Sequence, residues 1–363
     1  MLPRIGLGCM NLSHAYGHAP SDADGLALLR AALDDGVAMF DTATLYGAGR
    51  NEELVGRALA GRRDEVLLAS KGGMAIVDGV KVIDGRPETL RTQVDASLRR
   101  LGVDHIDLYY LHRWDKTVPI GESVGALAEA VTAGRIGAIG LSEVSVARLH
   151  EALRVAPIAA VQNEYSLWSR NPELGMLEAT REAGIALVAF SPVGRGFLAD
   201  GIGEPALLPE KDIRRGMPRF QGAHWVANAA LLPAWRALAA EAGVTPAQLA
   251  LVWLRSRGPH VVSIPGTTSI AHLRENAAAD DLVIDAGLLA RAGDLIDTST
   301  VSGERYAPGP AAEVDAETFG DAASDAPADA VAADEAAGGS DLSRGSAVSS
   351  WARSADGATG APA

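Results

Sequence analysis

A chain of 363 residues, 48% of them hydrophobic, can bury a barrel-sized core, and disorder throughout is excluded. Its net charge of −14 argues against nucleic acid or an anionic membrane as partner, since both select clustered lysine and arginine. The single cysteine, Cys9, excludes an internal disulfide framework.

The start Met-Leu-Pro-Arg-Ile-Gly lacks the basic opening and apolar run of a signal peptide. No apolar stretch approaches the roughly 20 residues that span a bilayer. A cytoplasmic protein is expected.

Along the first 300 residues, short apolar runs alternate with longer amphipathic ones. In chain order, strands are predicted at residues 4–8, 37–40, 66–70, 106–111, 136–141, 159–162, 186–190 and 261–264. Helices are predicted at 22–35, 52–60, 87–101, 120–133, 145–155, 172–183, 231–242, 246–257 and 269–278. Ser21-Asp-Ala-Asp, Asn171-Pro-Glu and Thr245-Pro-Ala-Gln read as helix starts, and Gly36, Gly61, Gly102, Gly134 and Gly184 as turns that return the chain to the next strand. Repeated strand-loop-helix units force parallel strands with right-handed crossovers. Eight of them predict an α/β fold, the closed (β/α)8 TIM barrel, over residues 1–310. From 311 to 363, ten acidic residues oppose two arginines among Ala, Ser and Gly. With almost no large apolar side chain to offset ordering entropy, that segment reads as a disordered acidic tail.

In such a barrel the loops after the strands form the active face. Asp41, Tyr46, Lys71 and His112 follow the second, third and fourth strands, and Ser142, Gln162, Ser191 and Gly266 follow the fifth to eighth. A phenol with a reference pKa of about 10 is a poor acid until a neighbouring ammonium favours phenolate. Lys71 would do this for Tyr46, Asp41 would keep Lys71 charged and oriented, and His112 would hydrogen-bond an incoming carbonyl oxygen. No side chain here is a hydride source, so a nicotinamide cofactor is expected to supply one.

These segments resemble the aldo-keto reductase superfamily, in the manner of its general bacterial and plant members. The resemblance rests on Ile5-Gly-Leu-Gly-Cys-Met10, Phe40-Asp-Thr-Ala-Thr-Leu-Tyr-Gly47, Ser70-Lys-Gly-Gly73, Ile106-Asp-Leu-Tyr-Tyr-Leu-His112, Ile139-Gly-Leu-Ser142, Val161-Gln-Asn-Glu-Tyr165, Phe190-Ser-Pro-Val-Gly194 and Ile264-Pro-Gly-Thr267. It implies NAD(P)H-dependent reduction of a small carbonyl compound, with Tyr46 as acid. It further implies that Ser142 and Gln162 hold the nicotinamide carboxamide, with Glu143 where many relatives have Asn, and that Phe190 stacks on the ring. Ser191, Val193, Gly194 and Arg195 would follow the pyrophosphate, while Gly266, Thr267, Thr268, His272, Glu275 and Asn276 would surround the adenosine. NADPH is the expected cofactor and NADH the alternative, because the usual Lys or Arg for the 2′-phosphate is replaced by Gly266, Thr268 and His272, with Arg274 nearby.

Met10 and Trp114 fall in rim loops and are the candidate substrate-binding residues. Ser302-Gly-Glu-Arg-Tyr-Ala-Pro308 resembles the family's C-terminal segment. The eight histidines are scattered without metal-ligand spacing, so no metal is expected. Gly6-Leu-Gly8 lacks the third glycine of a dinucleotide fingerprint. Two rival readings are a cofactor-sensing binding module on the same fold and a barrel aldolase using Lys71 as a Schiff-base nucleophile.

Overall fold

The computed structural model describes residues 3–199 and 201–319. Among these, the elements run β1 (Leu7–Gly8), α1 (Asp22–Asp34), β2 (Met39–Asp41), α2 (Arg50–Leu59), β3 (Leu67–Gly72), β4 (Met74–Val77), β5 (Val80–Ile83), α3 (Pro87–Leu101), β6 (Ile106–Leu111) and α4 (Ile120–Thr132). They continue with β7 (Ile136–Ser142), α5 (Val146–Leu153), β8 (Ile158–Glu164), α6 (Met176–Glu182), β9 (Ala186–Phe190), α7 (Gly222–Ala229), α8 (Leu232–Glu241), α9 (Pro246–Ser256), β10 (Val261–Ser263), α10 (Ile270–Ala278), α11 (Ala286–Leu295) and α12 (Pro308–Ala311).

Eight strands pair in the order β1-β2-β3-β6-β7-β8-β9-β10, all parallel. Parallel bridges from Ile5 to Ser263 and from Gly8 to Gly266 join the first strand to the last and close the barrel. The expected (β/α)8 plan is therefore the observed one.

Alternation along each strand divides the core in two. Met39, Ala69, Leu108, Tyr110, Ala160, Val188 and Val262 point into the barrel, while Phe40, Leu68, Tyr109, Val161 and Leu187 pack outward with the helices. The helix starts read from sequence hold at two sites: the Ser21 side chain accepts from Asp24 N–H, and Thr245 with Gln248 forms a reciprocal capping box. At the third, residues 171–174 form a short 3-10 turn. Gly175, at φ 139°, then breaks the chain before α6, so the helix expected over 172–183 is shorter.

Two further differences shape the pocket. β4 and β5 form an antiparallel hairpin directly after β3, with Asp78 and Gly79 left-handed at its tip. An Asp-Gly pair between alternating apolar residues is a hairpin signal present in the sequence but not read above.

The tail boundary at 310 is also too early. Residues 311–319 dock on the barrel: Asp315 accepts from Ser145 N–H and Oγ, Glu317 accepts from Val146 N–H, and Lys116 donates to the carbonyls of Ala312 and Val314. Acidic residues meeting the open N-terminal amides of α5 supply what burial of apolar side chains does not. The rest of the expected tail, 320–363, lies outside the described residues. Among the described residues, no single helix is long and apolar enough to cross a membrane.

Candidate active site

Successive strand ends deliver the quartet to one rim. β2 ends on Asp41, β3 carries Lys71, β6 is followed by His112, and Tyr46 stands on the turn between β2 and α2. In that turn Gly47, Ala48 and Gly49 are all left-handed, with φ of 58°, 55° and 93°. Glycine at two of the three positions permits the reversal that starts α2 just beyond Tyr46. Buried Asn51 fixes the turn, accepting from Thr42 Oγ1 at 2.6 Å and donating to the Cys9 carbonyl at 2.8 Å and to Ser13 Oγ at 2.7 Å.

Lys71 is fully buried, and its Nζ donates to Asp41 Oδ1, to the Thr42 carbonyl at 3.0 Å and to the Tyr46 hydroxyl at 3.2 Å. Gln162 Nε2 donates to the other carboxylate oxygen of Asp41 at 2.8 Å. The Tyr46 ring meets His112 edge-on at 5.8 Å between centroids and His14 at 5.5 Å. Burial alone would pull the Lys71 ammonium down, but the Asp41 carboxylate and Tyr46 hold it above its ordinary value. It stays charged.

Burial, with the charges of Arg113 and Lys71, pushes His112 well below the usual imidazole range, so the ring is neutral and keeps one N–H to donate. For Tyr46 the sequence expectation needs correction. Lost solvation raises the phenol more than Lys71 lowers it, and Asp41 cancels part of the lysine's pull. Tyr46 is therefore a neutral phenol with a proton to give, rather than one poised toward phenolate.

A cavity of about 700 Å³ opens over this quartet. Asp41, Tyr46 and His112 line its floor, and Ser142, Gln162 and Phe190 stand beside them; Lys71 lies beneath. The cavity continues past Ser191, Val193 and Arg195 to Gly266, Thr267, Thr268, His272, Glu275 and Asn276, where α10 begins. At Gly266 a Cβ would lie 2.7 Å from Asn11 Oδ1 and 3.0 Å from the Gly8 carbonyl, so only glycine lets the wall come this close. An aromatic face, hydroxyl and amide groups at one end and a helix start at the other fit a nicotinamide dinucleotide.

Not every expected contact is made. Glu143 faces away from the cavity: its carboxylate is fully buried, accepting from Glu164 N–H at 2.7 Å and from both Nη atoms of Arg305. A charged group at that depth needs a counter-charge, and Arg305 provides it where a neutral Asn would not require one. Trp114 is also outside the cavity, donating from Nε1 to the Val118 carbonyl at 2.9 Å beneath the Arg148 guanidinium. Gly194 packs toward Trp168 rather than the cavity. Arg195 does line it, but its guanidinium is taken by Glu164 at 2.7 Å and by the hydroxyls of Tyr16 and Tyr306. Arg274 reaches Asp35 on α1 at 2.7 Å. Met10 lines the cavity as expected.

Sequence reasoning missed His14, Tyr16, Lys81, Arg113 and Tyr306, all of which line the cavity. Lys81 was findable through the Asp78-Gly79 hairpin, and Arg113 by its place directly after His112. The Ser302–Pro308 resemblance pointed toward Tyr306.

Fold and site together define an α/β barrel with a buried phenol, Tyr46, at the floor of a cofactor-sized cavity. The model of the Aldo/keto reductase family matches residues 4–294, and the chain belongs to that family of oxidoreductases. It is 38% identical over 320 residues to the aldo-keto reductase yakc [NADP(+)] of Schizosaccharomyces pombe, covering 86% of this chain and 94% of that protein. Among solved structures, the glycerol dehydrogenase AKR11B4 of Gluconobacter oxydans superposes with a TM-score of 0.75 at 28% identity, over 84% of this chain and 94% of that one. An aldo/keto reductase of Klebsiella pneumoniae in complex with NADP and acetate superposes with a TM-score of 0.64 at 29% identity, over 84% and 95%.

Proposed function

We propose that the protein reduces an aldehyde or ketone to the alcohol, with NADPH as cofactor and Tyr46 as general acid. The observation that carries this reading is the Tyr46 hydroxyl, held 3.2 Å from a buried, charged Lys71 at the cavity floor. NADPH, when bound, supplies the hydride. The chain's own groups supply the rest. Neutral His112 donates to the carbonyl oxygen and orients it. Tyr46 then gives that oxygen its proton, and Lys71 stabilises the phenolate left behind.

Ser142 and Gln162 are the residues for the carboxamide, Phe190 for the ring face, and Gly266 through Asn276 for the adenosine and its phosphates. NADPH rather than NADH is supported by the NADP(+) of the yeast relative's name and by the Klebsiella complex. Lys71 as a Schiff-base nucleophile would need a neutral amine, whereas Asp41 favours the ammonium.

The test is NADPH oxidation against a panel of aldehydes and ketones, with Tyr46→Phe beside the native chain. Loss of a general acid predicts a fall in kcat of roughly 10²-fold or more with NADPH affinity retained. Near-native reduction by Tyr46→Phe would sink the assignment.

A further inference from the structure

Four Lys or Arg side chains line the cavity, and three are paired. Lys81 meets Glu313, Arg195 meets Glu164, and Arg214 meets Asp212. Below the floor, Lys71 is neutralised by Asp41. Arg113 is different. Among the described residues it has no carboxylate partner: Nη1 donates to the His112 carbonyl at 2.7 Å and to Ser142 Oγ at 3.1 Å, and buried Nε has no acceptor at all.

A half-buried guanidinium without a counter-charge is costly unless something supplies one. Its position limits what that can be. Arg113 follows His112 directly, at the end of the cavity where the carbonyl group is processed, while the phosphate-suited start of α10 lies at the other end. The neighbouring imidazole is neutral and the phenol uncharged, so an arriving anion meets one uncompensated positive charge.

We propose that Arg113 receives the carboxylate of the substrate, making oxo acids, aldehydes or ketones that carry a carboxylate a short distance from the carbonyl, the preferred substrate class. This rests on the reductase reading above. A guanidinium N–H donating to a carboxylate makes a charge-assisted hydrogen bond that a hydroxyl or an apolar group cannot match. The reduction itself is unchanged, and the carboxylate sets orientation and affinity.

The experiment compares kcat/KM for matched pairs, 4-oxobutanoate against butanal and 4-carboxybenzaldehyde against benzaldehyde, in the native chain, Arg113→Met and Arg113→Lys. Each protein is read by its own ratio of acid to neutral substrate, so a change in the folded fraction cancels. The native ratio is expected to exceed about 10, reflecting a charge-assisted hydrogen bond worth roughly 10- to 100-fold, mostly in KM. Arg113→Met should bring the ratio to about 1, and Arg113→Lys should restore part of it.

A native ratio near 1, or a ratio unchanged in Arg113→Met, overturns the proposal. An equal loss on acid and neutral substrates in Arg113→Met would assign Arg113 to positioning Ser142 instead. Absence of turnover on every carbonyl condemns the reductase reading. In that case calorimetric titration with benzoate, in native chain and Arg113→Met, still decides whether Arg113 binds a carboxylate.

Discussion

Gln162 donates to one oxygen of the Asp41 carboxylate while Lys71 occupies the other, so a fully buried anion has both oxygens engaged. Asp41 lies on β2 and Gln162 on β8, 121 positions further along the chain, and the barrel brings them together. Asp41→Asn would leave the Lys71 ammonium buried without its counter-charge, and burial would then favour the neutral amine. Stability is expected to fall by on the order of 3 kcal/mol. Turnover should fall roughly 10²-fold or more as Tyr46 loses a charged partner. Urea unfolding and stopped-flow NADPH oxidation check the two effects separately; native turnover in the variant would detach Lys71's charge from the chemistry.

Acid should destabilise the protein in two steps. In the unfolded chain His112 takes a proton below about pH 6.5, whereas the folded ring, depressed by burial and by Arg113, refuses it. The unfolded state then binds more protons, so stability drops as pH falls, by up to about 1.4 kcal/mol per unit. Half-buried His14, its imidazole also lowered by lost solvation, acts in the same direction.

The second step involves Glu164. Burial works against its carboxylate, yet Arg195 and Arg305 hold it at about 2 against an ordinary 4.5. Its contribution is complete above pH 4.5 and is lost as pH falls toward 2. Urea midpoints from pH 7.5 to 5 should decline, and less steeply in His112→Asn; identical slopes would remove His112 from the account.

Glu143→Gln should loosen the chain after Val301. Arg305 would be left in a buried site without its counter-charge, a loss on the order of 3 kcal/mol. Asp315 N–H also donates to the Glu143 carbonyl, so the effect should spread along the docked segment. Limited proteolysis is expected to cut between residues 302 and 319 faster in the variant. Adding Arg305→Met should recover part of the stability. Equal cleavage rates would show that the ion pair does not hold the segment.

Gly56→Ala tests packing away from the cavity. Ala would favour the helix by about 1 kcal/mol. Its Cβ, however, would lie 2.3 Å from the Leu101 carbonyl, where α2 crosses the end of α3, and a backbone atom cannot step aside. Overpacking of about 1–3 kcal/mol should win, lowering the thermal midpoint with KM for NADPH unchanged. A raised midpoint would mean that the helices separate cheaply.

Most of the barrel is legible in the chain because each strand and helix carries its own periodicity and its own stop signals. Gly102 illustrates this: at φ 66° it ends α3 where the sequence places a turn. Asp41, Tyr46, Lys71 and His112 were legible for a related reason, since each stands where a strand ends, and in this fold strand ends face one rim. The failures share another cause. Glu143, Trp114 and Gly194 occupy rim loops, and nothing in their local sequence says whether a side chain turns toward the cavity or toward the packing behind it. Arg305 decides that for Glu143 from 162 positions away.

By itself, then, the sequence determined the alternation of elements, the parallel barrel they must form and the four polar groups that meet at one rim, because these follow from local pattern and from strand-end position. Tertiary structure alone decided the balance of charge. Burial, not Lys71, sets the proton on Tyr46; three of the four Lys and Arg residues lining the cavity are paired with carboxylates; and Arg113 has no carboxylate partner among the described residues. Coulomb and solvation energies depend on distance through space and on depth from water, and neither quantity is written along the chain.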